Sequence, residues 1–220
     1  MSFYRDFCEE EYSKEGYLKK IKLKYPKTFN FAYDVVDKIA SVDPNRTALV
    51  WCNTKEEEHF FTFEDLRRES NKIANVFLSS GIKKGQKVLV ILKRHYEYWF
   101  VTLALHKIGA IMIPATHMLT VRDLVYRLNK SNTQAVVCTS FDGIPEKIKN
   151  AVKEVNRNIK LWNVGHGIEG FENLSHRKEY EKDTLERIPN LATDPMIFYF
   201  TSGTTGYTKG VINDYSYTLS

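Results

Sequence analysis

Cysteine is scarce in this sequence of 220 residues, and the three cysteines lie far apart. Cys8, Cys52 and Cys138 are odd in number and have none of the spacings of a metal-binding motif. They therefore predict neither a disulfide framework nor a metal site. So little cysteine fits a protein of a reducing compartment.

Long apolar runs and an export signal are also missing. Nowhere do about 18 apolar residues follow one another, so the sequence predicts no membrane-spanning helix. The charged residues Arg5, Asp6, Glu9 and Glu10 interrupt the N-terminus and exclude the apolar segment of a secretory signal. We therefore predict a cytoplasmic protein.

A strong excess of one charge is absent as well. There are 32 Lys and Arg residues against 27 Asp and Glu residues, a net charge of +5, and the two signs are mixed along the chain. Nucleic-acid binding needs clustered positive charge and is not expected. The composition, with 43% hydrophobic residues, and the length are ordinary for one sizeable folded α/β domain or two small ones.

The middle of the chain alternates between strand patterns and helix patterns. Residues 88–92 form an apolar run typical of a strand buried on both faces, and Thr62 with Asp65 resembles a capping box at the start of a long helix. This alternation predicts a doubly wound, mostly parallel α/β sheet with flanking helices. The predicted strands are 47–53, 59–61, 88–92, 110–113, 135–139 and 160–164, and the predicted helices are 31–42, 62–80, 95–108, 120–131 and 145–155.

Two segments lack a clear pattern. Residues 1–30 are charged with scattered aromatic residues, and we interpret them as an N-terminal arm on the surface of a domain formed by 31–220. Residues 165–194 contain glycine, asparagine and charged residues with weak periodicity. For them we predict a long irregular connection.

The most informative stretch is 199–211, which reads YFTSGTTGYTKGV. An apolar run, small and hydroxyl residues, and a second apolar run predict a strand, a loop and a strand. Glycines let backbone N–H groups approach a ligand closely, hydroxyls donate hydrogen bonds, and a lysine suits phosphate oxygens. The residues of this candidate phosphate loop are Thr201, Ser202, Gly203, Thr204, Thr205, Gly206 and Lys209.

Composition alone leaves an alternative open, because clusters of Gly, Ser and Thr between strands are commonly hairpin loops without a ligand. The loop also differs from the nucleoside-triphosphate (Walker) pattern, which has four residues between its glycines and a lysine directly after the second. Here two residues separate Gly203 from Gly206, and Lys209 comes three positions later. Kinase-like phosphoryl transfer is therefore disfavoured.

The order TSGTTGxxKG resembles the phosphate loop of the AMP-forming acyl-CoA synthetases of the adenylate-forming superfamily. Thr208 stands where those enzymes normally have proline. Within 93–118, the segments KRHYEYW, ALHKIGA and IPATHM are similar to the acetyl- and medium-chain branch of these synthetases. The chain departs from that branch after the loop, where Asn213 stands at a position at which the branch commonly has a histidine. The likeness extends over essentially the whole chain.

This resemblance implies a two-step reaction. A carboxylate attacks the α-phosphate of ATP, which is bound with Mg²⁺, and coenzyme A then displaces AMP from the acyl-adenylate to form a thioester. The loop and Lys209 would hold the β- and γ-phosphates. The implied partners are a small-molecule carboxylate, ATP and coenzyme A. Catalytic residues stay unassigned, no metal ligand is expected within this chain, and a homo-oligomer is left open.

The enzymes that the chain resembles continue well beyond the phosphate loop, into a hinge and a small C-terminal domain. The sequence stops at Ser220, inside an expected helix that begins near Tyr215. We therefore expect an N-terminal fragment of an acyl-CoA synthetase that is inactive by itself. The alternative is a short non-enzymatic nucleotide-binding or scaffold protein that keeps the loop.

Several polar residues within 93–118 invite roles that we do not assign. His95, His106 and His117 are eleven residues apart in turn, which is no metal-binding spacing, so we expect structural histidines. Lys93 and Arg94 follow a predicted strand, where ligands bind in many α/β proteins. A solvated charge pair is the simpler interpretation of these two residues.

Overall fold

The computed structural model describes residues 3–201 and 208–219. The chain begins with a 3₁₀ turn, Phe3–Asp6, and an antiparallel hairpin of β1 (Cys8–Tyr12) and β2 (Leu18–Leu23). The predicted surface arm thus contains a hairpin that the sequence analysis missed. Its strands are rich in charge and β2 is exposed along its whole length, so they lack the half-buried alternation by which strands are recognised.

A helix follows the arm, as predicted for 31–42, but it changes its winding. Ala32–Asp37 is π-helical and runs directly into α1 (Lys38–Val42). The predicted hairpin comes next, with β3 (Thr47–Cys52) antiparallel to β4 (Glu58–Thr62).

Helix α2 (Phe63–Ser79) confirms the predicted capping box. The Thr62 hydroxyl accepts a hydrogen bond from the Asp65 backbone N–H at 3.1 Å, and the Asp65 carboxylate accepts one from the Thr62 backbone N–H at 2.8 Å. Two of the otherwise unpaired donors at the helix start are thereby satisfied. The apolar stripe of the helix, including Ile73, Ala74 and Phe77, is buried.

The remaining elements alternate as expected from the sequence. They are β5 (Lys87–Ile91), α3 (Glu97–Ile108), β6 (Ile111–Pro114), α4 (Val121–Ser131), β7 (Ala135–Thr139), α5 (Ile144–Val155), β8 (Lys160–Val164), β9 (Glu172–Asn173), α6 (Leu174–Arg177), β10 (Pro195–Thr201) and β11 (Lys209–Asp214). A 3₁₀ turn follows α6 at Lys178–Tyr180, and another, Tyr215–Leu219, stands where the sequence predicted the start of a helix.

Seven strands form one sheet in the order β11-β10-β6-β5-β7-β8-β9. All neighbours pair in parallel except β10 and β11, which are antiparallel. Val88 and Val90 of β5 pack into the core with α2 and α3, whereas Leu89 and Ile91 pack into the core with α4 and α5. The predicted doubly wound α/β sheet is therefore confirmed.

The connection 165–194 is only partly irregular. It contains β9, α6 and a 3₁₀ turn, and its remainder is attached to α2 by side-chain amides. Asn71 Nδ2 donates to the Asp183 carbonyl at 2.9 Å, and Asn75 Nδ2 donates to the Lys182 carbonyl at 2.8 Å. A strand of two residues is too short to show a period, which is why the sequence did not predict it.

In the described residues, no helix combines the length and the apolar character needed to cross a bilayer.

A buried ion pair joins three of these elements. Lys107, on α3, has no exposed side-chain surface, and its ammonium lies 2.8 Å from the Asp37 carboxylate and 2.7 Å from Asn71 Oδ1. Burial lowers the pKa of Lys107 and raises the pKa of Asp37, while the attraction between the two charges opposes both shifts. The pair thus connects the π-helical segment with α2 and α3.

We predict that Lys107→Met destabilises the protein by about 3 kcal/mol, because it leaves the Asp37 carboxylate, whose side chain is only 20% exposed, without its partner. Urea unfolding measures the change. Lys153→Met, which removes an exposed lysine from α5, is the control and should change the free energy of unfolding by less than about 0.5 kcal/mol. Equal stability of the two variants would contradict the importance of the buried pair.

The β10–β11 hairpin depends on a glycine at position 210. A Cβ atom there would overlap the Phe198 ring on the neighbouring strand. We predict that Gly210→Ala costs about 1–3 kcal/mol of folding free energy in thermal or urea unfolding, because the ring has to leave its position. Gly167→Ala, where a Cβ meets nothing within 4 Å, is the matched control and should be close to neutral. A neutral Gly210→Ala would show that the ring moves freely.

Candidate functional site

The predicted strand, loop and strand around the candidate phosphate loop are confirmed for both strands. β10 and β11 pair antiparallel, with Thr201 opposite Lys209 at the open end of the hairpin. The Thr201 hydroxyl donates to the Lys209 carbonyl at 3.4 Å. Because β10 runs parallel to β6, this end of the hairpin lies at the carboxyl edge of the parallel sheet.

Only two of the predicted phosphate-binding residues are described by the structure. Thr201 and Lys209 stand together at the mouth of the loop, and both are exposed. The other five lie outside the described residues, so their role stays a prediction. They are Ser202, Gly203, Thr204, Thr205 and Gly206.

Helix α4 supports the C-terminal side of the loop, which the sequence analysis missed. The Tyr126 hydroxyl donates to the Thr208 carbonyl at 3.0 Å, and the Arg127 guanidinium lies over the Phe200 ring at 4.6 Å from its centroid. No local pattern could reveal these contacts, because about eighty residues separate the partners. The acceptor of this hydrogen bond is the backbone carbonyl of residue 208. A proline at position 208, as in the family pattern, would offer the same carbonyl, so the bond does not depend on the threonine.

A crevice of about 530 Å³ opens next to the hairpin at the same edge of the sheet. Its walls come from residues that follow β5 and β6, among them Lys93, Arg94 and His117, and from Tyr199 of β10. Ligands of open α/β sheets bind outside the carboxyl ends of the strands, and the volume suits a molecule of nucleotide size. The sequence indicated Lys93 and Arg94 by their place after a strand, but not that β10 shares the crevice.

Lys93 and Arg94 keep their charges close to solvent. Lys93 Nζ lies 2.8 Å from the carboxylate of Asp142, which follows β7, and both side chains are more than two-fifths exposed. The hydrogen bond from Lys93 lowers the pKa of Asp142. Lys93 itself has a φ of 46°, which is uncommon for a residue with a side chain. Both basic residues are positioned to attract an anion into the crevice.

The three histidines lie in separate surroundings. His95 Nε2 is 2.8 Å from the Thr139 hydroxyl, His106 is buried among helices, and His117 lines the crevice. Burial lowers the pKa of His106 to about 4. Within 3–201 and 208–219, no group of three or more His, Cys, Asp or Glu residues could hold a metal ion.

The described part of the site can therefore bind an anion but contains no assigned nucleophile or general base. Its positive groups are Lys209 at the loop and Lys93 and Arg94 in the crevice, all at one edge of the sheet. Two positively charged regions at one edge suit an extended ligand with several negative charges, such as a polyphosphate.

Comparison with known proteins places this geometry in context. The mouse mitochondrial acyl-coenzyme A synthetase ACSM3 is 31% identical over 220 residues, covering 97% of this chain and 38% of the relative. The mouse mitochondrial acyl-coenzyme A synthetase ACSM1 is 33% identical over 190 residues, covering 84% of this chain and 33% of the relative. The chain thus spans about a third of the length of these relatives.

Solved structures agree with the fold. The anthranilate CoA ligase AuaEII, in complex with anthranoyl-AMP, superposes with a TM-score of 0.76 at 20% identity, covering 87% of this chain and 34% of that one. A Brucella canis acyl-CoA synthetase also gives a TM-score of 0.76, at 23% identity and with 89% and 35% coverage. At these identities the likeness supports the fold alone.

The sequence profile of one family, described as AMP-binding enzyme, matches residues 36–220. This match includes the sheet, its helices and the candidate phosphate loop. The chain therefore belongs to the family of AMP-binding enzymes.

Proposed function

We propose that this chain is the phosphate-binding, N-terminal part of an AMP-forming carboxylate–CoA ligase. The observation that carries the proposal is the placement of Thr201 and Lys209 at the mouth of the loop, on the sheet edge that also bears the crevice with Lys93 and Arg94. The relatives named acyl-coenzyme A synthetase support it, as does the share of their length that the chain spans.

In the first step of the proposed reaction, a carboxylate oxygen of the substrate attacks the α-phosphorus of ATP. The bond to the bridging oxygen breaks, and pyrophosphate leaves with the electron pair. Lys209 and the hydroxyl groups of the loop would bind the β- and γ-phosphates and stabilise the negative charge that develops there. This role is electrostatic and needs no proton transfer by the chain.

In the second step the sulfur of coenzyme A attacks the carbonyl carbon of the acyl-adenylate. AMP leaves, a thioester forms, and the thiol proton is released. The crevice with Lys93 and Arg94 would attract the anionic phosphate groups of either substrate by charge.

Magnesium would enter with ATP. The described residues offer no set of ligands for it, so we derive no step through the ion. A cation held mainly by substrate phosphates agrees with the usual coordination of Mg²⁺.

The 220-residue chain alone is proposed to lack synthetase activity, because the part that it matches is only 38% of the length of the relative ACSM3. The alternative is a non-enzymatic protein that binds a nucleotide with the same loop. This alternative predicts nucleotide binding without turnover.

The three free cysteines, Cys8, Cys52 and Cys138, fit a reducing compartment, and we propose that this compartment is the cytoplasm. The names of the relatives place those proteins in mitochondria.

We predict that the chain binds ATP and pyrophosphate in calorimetry and that Lys209→Met weakens both about tenfold to a hundredfold. The loss of one charged hydrogen-bond donor to phosphate is worth roughly 1.5–3 kcal/mol, and about 1.4 kcal/mol corresponds to a factor of ten. The same chain should catalyse no carboxylate-dependent exchange between ATP and labelled pyrophosphate.

Lys153→Met is the matched control, because it removes the same charge from the exposed face of α5. Unchanged affinity in Lys209→Met would contradict the loop assignment. Measurable exchange by the chain would instead overturn only the proposal that it is inactive.

A further inference from the structure

The hairpin near the N-terminus leaves one strand edge open. β2 pairs with β1 on one side, and within the part of the chain that the structure describes no strand pairs with its other side. All six residues of β2 are exposed. An open edge presents unpaired backbone N–H and C=O groups, which can pair with another extended chain.

The pairing of the hairpin shows which backbone groups face this open edge. The Lys24 N–H donates to the Phe7 carbonyl at 2.7 Å, so the backbone groups of Lys24 point towards β1. Along an antiparallel strand, successive residues direct these groups to opposite sides. The groups of Lys22 therefore also point towards β1, whereas the N–H and C=O groups of Ile21 and Leu23 point to the open edge.

One face of β2 is basic. Lys20 and Lys22 lie on this face, opposite Glu11 and Glu9 of β1. The ammonium of Lys24, two residues further along, lies 3.5 Å from the Glu9 carboxylate. Lys20 and Lys22 form no ion pair with any residue that the structure describes. Their positive charges are therefore available to a ligand at the open edge.

The other face of β2 is apolar. Ile21 and Leu23 lie on it and are 52% and 40% exposed, which is unusual for large aliphatic side chains. They line a cavity of about 380 Å³ whose charged lining residue, Glu10, belongs to β1 and not to the open edge. The cavity is lined further by the apolar residues Phe7, Phe31, Val35 and Leu219.

The charges of β2 determine what can pair with it. A second β2 strand would bring lysines against lysines, and like charges directly opposite each other destabilise a strand pair. An acidic strand would instead meet opposite charges. β1 is an example within this chain, because it places Glu9 and Glu11 against Lys22 and Lys20.

We propose that the open edge of β2 binds an extended peptide of a partner protein in which acidic and apolar residues alternate. The peptide backbone pairs with Ile21 and Leu23, its acidic side chains lie beside Lys20 and Lys22, and its apolar side chains extend the wall of the cavity. This mode of recognition is strand addition. The proposal concerns a different element from the phosphate loop and does not depend on the proposed ligase function.

The test uses the full 220-residue chain and two capped peptides of equal composition and charge. Glutamate and valine alternate in Glu-Val-Glu-Val-Glu-Val and are separated in Glu-Glu-Glu-Val-Val-Val. We expect the alternating peptide to move the amide proton NMR signals of Ile21 and Leu23 downfield in a saturable way, because their free N–H groups form hydrogen bonds. The signals of Lys22 and Lys24, whose N–H groups point towards β1, should shift less. The second peptide should bind at least fivefold more weakly.

The contribution of the lysines is measured with two double variants. Lys20→Gln with Lys22→Gln should weaken binding of the alternating peptide about threefold to tenfold, the effect of losing two exposed ion pairs. Lys130→Gln with Lys153→Gln is the control, because it removes the same charge from exposed positions of α4 and α5 and should change the affinity less than twofold. All four side chains are exposed, so both variants should fold.

Any of four results would overturn the proposal. The first is the absence of saturable peptide binding, and the second is equal affinity of the two peptides or of the two double variants. The third is binding of the chain to phosphatidylserine vesicles through the same lysines without binding of the peptide, which would assign the lysines to a membrane surface. The fourth is self-association that Lys20→Gln with Lys22→Gln abolishes, which would assign the edge to a second copy of the chain.

Discussion

Strand β5 has to pair with a parallel neighbour on each side while it buries both rows of its side chains. Val88 and Val90 point into one core, and Leu89 and Ile91 into the other. A strand of this kind needs a helical layer on each face, and parallel neighbours need crossover connections. Those connections bring the ends of β5, β6 and β10 to one edge, so the position of the candidate site follows from the burial of one strand.

The site combines a local motif with long-range contacts. Lys209 and Thr201 come together because a short hairpin pairs them, whereas Tyr126 reaches the Thr208 carbonyl from a helix about eighty residues away. The Lys107–Asp37 pair is a second long-range contact. It joins α3 to the π-helical segment, and the Lys107 ammonium also donates to Asn71 Oδ1 on α2, in the same helical layer as α3. The fold thus provides the edge of the sheet, and the loop is proposed to provide the hydrogen-bond donors there.

How much the sequence predicts depends on how far apart the interacting groups are. β7 and β8 have the predicted bounds because their apolar runs are local signals, and the capping box at Thr62 was recognisable from two residues. The hairpin β1–β2 was missed because its charged strands are exposed, and the π-helical turn Ala32–Asp37 because its apolar spacing resembles that of an α-helix. The contacts of Tyr126 and the burial of the His106 ring arise only from tertiary packing.

The most direct test of the account is to follow backbone amide signals of the chain by NMR while pyrophosphate is added. The account predicts that the largest saturable shifts fall on residues 201–210, because their N–H groups and Lys209 are expected to bind the phosphates. Smaller shifts should occur near Lys93 and Arg94, on the same edge. The absence of saturable shifts in 201–210, with binding confined to other surfaces, would contradict the assignment of this hairpin as a phosphate site.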